Sequence, residues 1–349
     1  MSNRGLIDPL DPQLAGEQAV ALATLISATG STSKKIGAKM VIGQSGRLVG
    51  GVTIGGCVDA QVIEAADALV SQGGRRTLSI SLDDDEAWEI GLTCGGTVEV
   101  LLECVEPQRS DDVMTRAHAL ASAALERGEA VVVVSPVDGP PHALVVGEAG
   151  SRWGSLGAAT VDDAAVAVAG QAMSGGSRLE SIGDARYFFD RHAPPTTLVI
   201  VGAGQIAISL TRFARELEMR TIVIDGRERY ATRERFPHAD DVLVGMPSEI
   251  VATISPTPRV AIILVAHDYK YELPILRQLL RQPVGYLGML GSKKRGAAVR
   301  EILRDEGYSP SELARLHTPI GLDLGGKSSA EVALSILAEV VAVRSGKRA

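Results

Sequence analysis

The sequence predicts an α/β protein in two parts, the second of them a doubly wound parallel sheet. Three observations carry that expectation. From Thr197 onward, short apolar runs alternate with amphipathic helical patterns, the order that builds parallel strands covered on both faces by helices. A glycine turn, Gly202-Ala203-Gly204-Gln205-Ile206-Ala207, joins the first of those runs to the first of those helices. The 349 residues, 45% hydrophobic and 22% charged, suffice for two domains with sizeable cores.

In the first half, apolar positions from Gly16 to Ala28 fall at helical spacing, and Gly30-Ser31 closes the pattern, so a short helix is predicted there. The segment 39–51, two alternating runs around Gln44, Ser45 and Gly46, reads as a hairpin, because glycine supplies the positive φ of a tight turn. Thr53-Ile54-Gly55-Gly56-Cys57 then leads into residues 58–70, whose apolar positions recur at three and four; Cys57 is therefore placed at or near a helix N-terminus. A strand over 77–85 ends in an acidic run, and Gly91-Leu92-Thr93-Cys94-Gly95-Gly96 precedes an alternating strand over 97–106. A helix over 111–127 and strands over 131–135 and 143–147, parted by Gly139-Pro140-Pro141, complete an α/β layer. The Ser174-Gly175-Gly176-Ser177 stretch and Pro194-Pro195 punctuate the chain, which divides into domains 1–193 and 194–349. No internal repeat is evident.

The second half reads as strand 198–202, helix 205–218, strand 221–225, a charged helical turn, strands 241–245 and 260–266, helix 271–281, strand 284–290, and a helix from Lys293. Ser328 and Glu331 have the spacing of a capping box opening a last apolar helix.

Composition excludes several functions. A formal charge of −7 argues against non-specific binding to nucleic acid or acidic membranes, which needs an excess of Lys and Arg. The N-terminal stretch lacks the apolar core of a signal peptide and no run approaches a membrane span, so a cytoplasmic location is expected. Three cysteines, Cys57, Cys94 and Cys104, form neither a disulfide framework nor a zinc knuckle and read as free thiols.

The glycine turn has the context of a Rossmann-like dinucleotide site: Gly202 and Gly204 let the backbone approach a pyrophosphate, and Asp225, about 20 residues on, stands where an acidic side chain holds a ribose 2′-hydroxyl. Arg227 and Arg229 blur the resulting preference for NAD over NADP. Structural packing of the turn is the alternative. Cys57 and Cys94 each adjoin a Gly-Gly pair, which exposes backbone N–H groups and admits a bulky ligand; a helix N-terminus also lowers a thiol's pKa. Plain burial is the alternative for both, and the better reading for Cys104 within its strand. Gly288 to Arg295 sets a glycine turn, Ser292, Lys293 and two further cations at a helix start after a strand, a place for phosphate, with a solvated basic helix start as the alternative. His267-Asp268 ends a strand facing the usual ligand crevice. No Ser-His-Asp ordering or HExxH motif is present.

Taken in order, Gly55-Gly56-Cys57-Val58-Asp59, Leu92-Thr93-Cys94-Gly95-Gly96, Val201-Gly202-Ala203-Gly204, Tyr286 to Lys293 and Pro319-Ile320-Gly321-Leu322-Asp323 resemble the XdhC/CoxI family, the xanthine dehydrogenase accessory factors, over almost the whole length. The family commonly has His after Gly-Ala-Gly, where this chain has Gln205, and His-Asp-His where it has His267-Asp268-Tyr269. The resemblance implies an N-terminal domain of XdhC/CoxI type, a Rossmann-like C-terminal domain, and a maturation protein. Such a protein binds and protects molybdenum cofactor (molybdopterin), which gains its terminal sulfur with a cysteine desulfurase and passes to a molybdenum hydroxylase. Gly55, Gly56, Cys57, Cys94, Gly95 and Gly96 would hold the cofactor, with Cys57 the first thiol toward molybdenum; Gly202, Gly204, Asp225, Ser292 and Lys293 would serve the nucleotide-like half. An NAD(P)-dependent oxidoreductase and a cofactor-free adaptor are the competing readings, and a homodimer is compatible with either.

Overall fold

The computed structural model describes residues 18–29, 35–43, 48–50, 57–82, 96–106, 109 and 111–346. The chain divides between Pro194 and Pro195 into two compact units.

In the first unit, strands β1 (Val20–Ala28), β2 (Lys39–Gly43), β3 (Leu48–Gly50), β4 (Arg75–Leu82) and β5 (Gly96–Val105) form an antiparallel sheet of order β3-β2-β1-β5-β4. The helix predicted from Gly16 to Ala28 is instead β1, the central strand; Gly16, Gly30 and Ser31 lie outside the described residues. Val20 to Ile26 is apolar at all but one position, a run that fits helical spacing and a strand buried on both faces equally well. Pairing with β2 and β5 decides for the strand. One face packs Ala21, Ala23 and Leu25 against α1 (Cys57–Gln72) through Val62, Ala66 and Leu69. The predicted hairpin is the β2–β3 pair, its turn at Gln44, Ser45 and Gly46 lying outside the described residues.

After α2 (Val113–Glu126), whose Asp112 carboxylate caps the Thr115 N–H at 2.8 Å, come β6 (Val131–Pro136), β7 (Ala143–Gly147), β8 (Arg152–Ser155), α3 (Ala159–Gly175), β9 (Arg178–Ile182) and β10 (Ala185–His192). Their antiparallel sheet has the order β8-β7-β6-β10-β9, and α3 falls between its third and fourth strands as α1 does in the first sheet. The sequence shows no repeat, yet the topology repeats in register. Val20 faces Gly43 and Val105, and Val131 faces Gly147 and His192; two residues along, Leu22 faces Val41 and Glu103, and Val133 faces Val145 and Asp190. Only apolar character is shared at most of these positions, so sequence self-comparison has little to detect.

Glu103 and Asp190 are thus equivalent, and both are buried on the inner side of the unit. Lys39 donates from Nζ to Asp190 Oδ2 at 2.6 Å and to Thr24 Oγ1 at 3.3 Å, and His192 Nε2 lies 2.9 Å from the same carboxylate oxygen. Arg75 Nη2 lies 3.2 Å from Glu103 Oε1 and donates to Ser135 Oγ at 3.3 Å. These cross-links join the two sheets through a polar seam, since buried charges persist only when paired. His118 of α2 is buried beside the seam, and neither of its ring nitrogens has a hydrogen-bond partner among the described residues.

The second unit is a six-stranded parallel sheet of β11 (Thr197–Val201), β12 (Arg220–Asp225), β13 (Asp241–Val244), β14 (Val260–Leu264), β15 (Tyr286–Met289) and β16 (Leu316–His317), ordered β13-β12-β11-β14-β15-β16. Its helices are α4 (Gln205–Glu216), α5 (Pro247–Ala252), α6 (Tyr269–Leu279), α7 (Lys293–Asp305), α8 (Pro310–Leu313) and α9 (Ser329–Arg344). Leu198, Ile200, Val223 and Ile263 point to the face covered by α4 and α9; Val199, Val201, Ile224 and Ile262 point to the face covered by α6 and α7. Alternate residues of each strand are thus buried on opposite faces, the reason these strands read as unbroken apolar runs. The capping box of Ser328 and Glu331 is present at α9, with Glu331 N–H donating to Ser328 Oγ at 3.3 Å and Ser328 N–H to Glu331 Oε2 at 2.9 Å. The segment after β12, predicted as a helical turn, forms successive turns in place of a helix. Within the Pro319 to Asp323 motif, Gly321 (φ +95°) donates its N–H at 2.7 Å to buried Glu339, which also accepts from Tyr286 and bonds His317; this fastens α9 to β15 and β16.

Candidate functional site

In the first sheet β1, β3 and β4 run toward the edge at which β5 begins, with Leu82 opposite Gly96. Gly96 is the first residue of β5, with φ +151°, and Cys57 is the first residue of α1, the helix that follows β3. Gly55, Gly56, Cys94, Gly95 and the Cys57 side chain lie outside the described residues. Among the described residues, no three His, Cys, Asp or Glu side chains are grouped to hold a metal ion. Cys104 is half-buried against the α1 cluster, and burial, with Glu106 and Asp112 nearby, pushes its thiol pKa up. A raised pKa suits the packing role expected of it.

In the second unit, the chain leaves β11 toward β12 on one side, while β14 lies on the other. The crevice at this switch point, outside the carboxyl ends of the strands, is where ligands bind in such sheets. Gly202 occupies φ +112°, and a Cβ there would lie 2.7 Å from Ala266 N and 2.9 Å from Val265 C, so only glycine lets the two loops meet. Gly204 stands at the N-cap of α4, and a Cβ on it would meet nothing within 4 Å. The first glycine serves the fold; the second keeps open space before the helix N–H groups.

Asp225 is 3% exposed at the end of β12. Its Oδ2 accepts from Ala203 N–H at 2.8 Å and Arg227 Nη2 at 2.7 Å; its Oδ1 accepts from Arg227 N–H and Nε, both at 2.9 Å. Burial works to raise its pKa, but the Arg227 bonds and the two N–H groups outweigh that and hold the carboxyl below its usual range. The carboxylate therefore braces the glycine turn, and a ribose hydroxyl would compete with Arg227 for it.

Ser292 caps α7 by accepting from Arg295 N–H at 3.2 Å, and Lys293, exposed, is the first residue of that helix. One strand separates them from the glycine turn, and Arg295 spans the interval. Its Nη2 donates to Glu272 Oε2 at 2.5 Å, its Nη1 lies 3.2 Å from His267 Nδ1, and its guanidinium sits 4.5 Å from the Tyr269 ring centre. Glu272 Oε1 accepts from His267 N–H at 3.1 Å. Glu272 is fully buried, which raises its pKa to about 7 against the opposing pull of Arg295. Glu272 carries no local sequence signal. Arg295 belongs to the basic run read at the α7 start, but its direction toward His267 is a tertiary fact.

A parallel six-stranded sheet with a glycine turn at its switch point defines a Rossmann-type protein, here carried behind a duplicated antiparallel unit. The family is equally plain. Residues 198–340 match the XdhC Rossmann domain and residues 13–81 the XdhC and CoxI family, so the chain belongs to the XdhC and CoxI family. A Bacillus subtilis (strain 168) protein named as a probable xanthine dehydrogenase component is 27% identical over 337 residues, 96% of each chain. The molybdenum cofactor insertion chaperone PaoD of Escherichia coli (strain K12) is 26% identical over 333 residues, 95% of this chain and 85% of that one. A crystal structure from Bacillus halodurans, described as a xanthine dehydrogenase, superposes with a TM-score of 0.80 at 24% identity, covering 100% of this chain and 97% of the other, and shows the same fold. No helix among the described residues is long and apolar enough to cross a membrane.

Proposed function

We propose that this protein binds molybdenum cofactor, protects it while a cysteine desulfurase supplies its terminal sulfur, and delivers it to a molybdenum hydroxylase of the xanthine dehydrogenase, aldehyde oxidoreductase or carbon monoxide dehydrogenase type. The observation that carries this reading is the likeness to PaoD, a chaperone named for molybdenum cofactor insertion, along nearly the whole chain. The crevice of the second unit is a separate ligand site: open space at Gly204, N–H groups at the starts of α4 and α7, and the cation Lys293 suit the phosphate of a nucleotide-like ligand. In the first unit, Cys57 at a helix start and Cys94 beside Gly95 and Gly96 are the thiols assigned to the molybdenum end, Cys57 first, since a helix N-terminus favours thiolate.

The test is molybdenum and pterin content of the purified protein after incubation with released cofactor and desalting. Near-stoichiometric retention that falls in Cys57→Ala and persists in Cys104→Ala is the expected outcome. Equal retention by the two variants removes Cys57 from the site; no retention by folded wild-type protein sinks the chaperone reading.

A further inference from the structure

We infer that His267 contacts ligand, its Nε2–H donating to an oxyanion of a phosphorylated molecule held at the switch point, while Arg295 and Glu272 position the imidazole. The argument begins with the backbone. His267 has φ +57°, a left-handed conformation that a non-glycine side chain adopts at a cost and that recurs at functional positions. It follows directly on Val265 and Ala266, the two residues against which Gly202 packs, so it flanks the glycine turn. The residue is exposed, and nothing in its own packing requires histidine.

The ring's hydrogen bond fixes its chemistry. Arginine has five donors and no acceptor, so the 3.2 Å contact from Arg295 Nη1 makes Nδ1 the acceptor. The ring proton must then reside on Nε2, which is left to a ligand or solvent. Partial desolvation of the ring against its neighbours, and then the adjacent Arg295 charge, lower the His267 pKa, so the neutral Nε2–H form is the one presented at pH 7. Arg295 is itself held on every side: Glu272 takes Nη2, Tyr269 lies against the guanidinium, and a Cβ on Gly291 would come within 3.1 Å of its Cδ. Its Nε is buried with no hydrogen-bond partner among the described residues. Of the acidic groups facing this cluster, Glu272 is consumed by Arg295 and the His267 N–H, and Asp268 caps α6 through Lys270 N–H at 2.9 Å. What remains toward the crevice is a neutral N–H donor beside a fixed cation and the α4 N-terminus, an arrangement that selects an anionic oxygen.

This inference shares with the proposed function only the reading of the crevice as a ligand site, and the two fail separately. The probe is inorganic pyrophosphate, titrated calorimetrically into the full-length protein, together with ¹⁵N NMR of histidine-labelled protein in which the signal missing from His267→Asn identifies His267. We expect a protonated Nε2 and unprotonated Nδ1 in the wild type, a shift of the Nε2 signal on adding pyrophosphate, and roughly tenfold weaker binding in His267→Ala, the loss of one charge-assisted hydrogen bond. His267→Asn, which tolerates the left-handed backbone and keeps an N–H, should recover part of that loss. Arg295→Met should mix the tautomers, an effect that mere structural support would not produce. A mixed tautomer in the wild type, unchanged affinity in His267→Ala, or no pyrophosphate binding at all overturns the inference, even where molybdopterin retention is intact.

Discussion

Replacing His118 by leucine should flatten the acid side of this protein's stability profile. His118 is 3% exposed, and burial, then the nearby Lys39 and His192, lower its pKa from 6.5 to about 3, with Asp190 opposing. The folded protein therefore keeps this imidazole neutral across the range in which the unfolded chain protonates it. Below pH 6.5 the unfolded state binds the extra proton, so stability falls as pH falls, and the loss continues until the folded value is reached. At pH 5 the free ring is about 97% protonated, which corresponds to a loss of about 2 kcal/mol relative to pH 7.5. That figure is insensitive to the folded pKa so long as it stays below about 4. Leucine, close to histidine in volume, also removes two unsatisfied buried nitrogens, worth roughly 1–3 kcal/mol at neutral pH. The assay is urea unfolding at pH 7.5 and 5.0 followed by tryptophan fluorescence; both tryptophans, Trp88 and Trp153, belong to the first unit, so the signal reports the part of the molecule that contains His118. Equal losses in wild type and His118→Leu between the two pH values would refute the reasoning.

The seam and the glycine turn give two further expectations. Lys39→Met should cost about 3–5 kcal/mol in the same unfolding assay, because Asp190 stays buried without its cation; a change under 1 kcal/mol would mean that His192 alone satisfies the carboxylate. Gly202→Ala should lower stability by about 2 kcal/mol or more, since the new methyl meets the Val265–Ala266 backbone at a positive φ. Gly204→Ala should leave the melting temperature nearly unchanged and weaken pyrophosphate binding, because its methyl projects into open space that a ligand needs. Similar melting temperatures for the two variants would contradict the division of labour between these glycines.

The second unit was legible in the sequence because each parallel strand is buried on both faces and announces itself as an apolar run between glycines and helices. The same property misled at β1. Val20 to Ile26 is buried on both faces by α1 and the second sheet, and nothing within nine residues tells such a strand from a buried helix. The α3, β8, β9 and β10 segments were missed for different reasons: α3 is rich in alanine and weakly amphipathic, β8 and β9 are four and five residues long, and β10 mixes Arg186, Asp190 and Arg191 among its aromatic residues. Of the site residues, Gly202, Gly204 and Ser292 follow from local backbone rules. Glu272 and the partners of Arg295 do not, because burial and the meeting of α6 with α7 are set by tertiary structure.

The duplicated arrangement of the first unit bears on how it can be cut. Each half places a carboxylate at the equivalent register position, Glu103 or Asp190, and the first half reaches across the join twice, Lys39 to Asp190 and Arg75 to Ser135. Neither half is therefore expected to fold stably on its own. A fragment ending near residue 106 would present Leu22, Thr24 and Lys39 to solvent on a face built to be dry, and would be expected to pair with another copy of itself or to aggregate. Truncation intended to isolate the cysteine-bearing part should therefore retain the chain through His192.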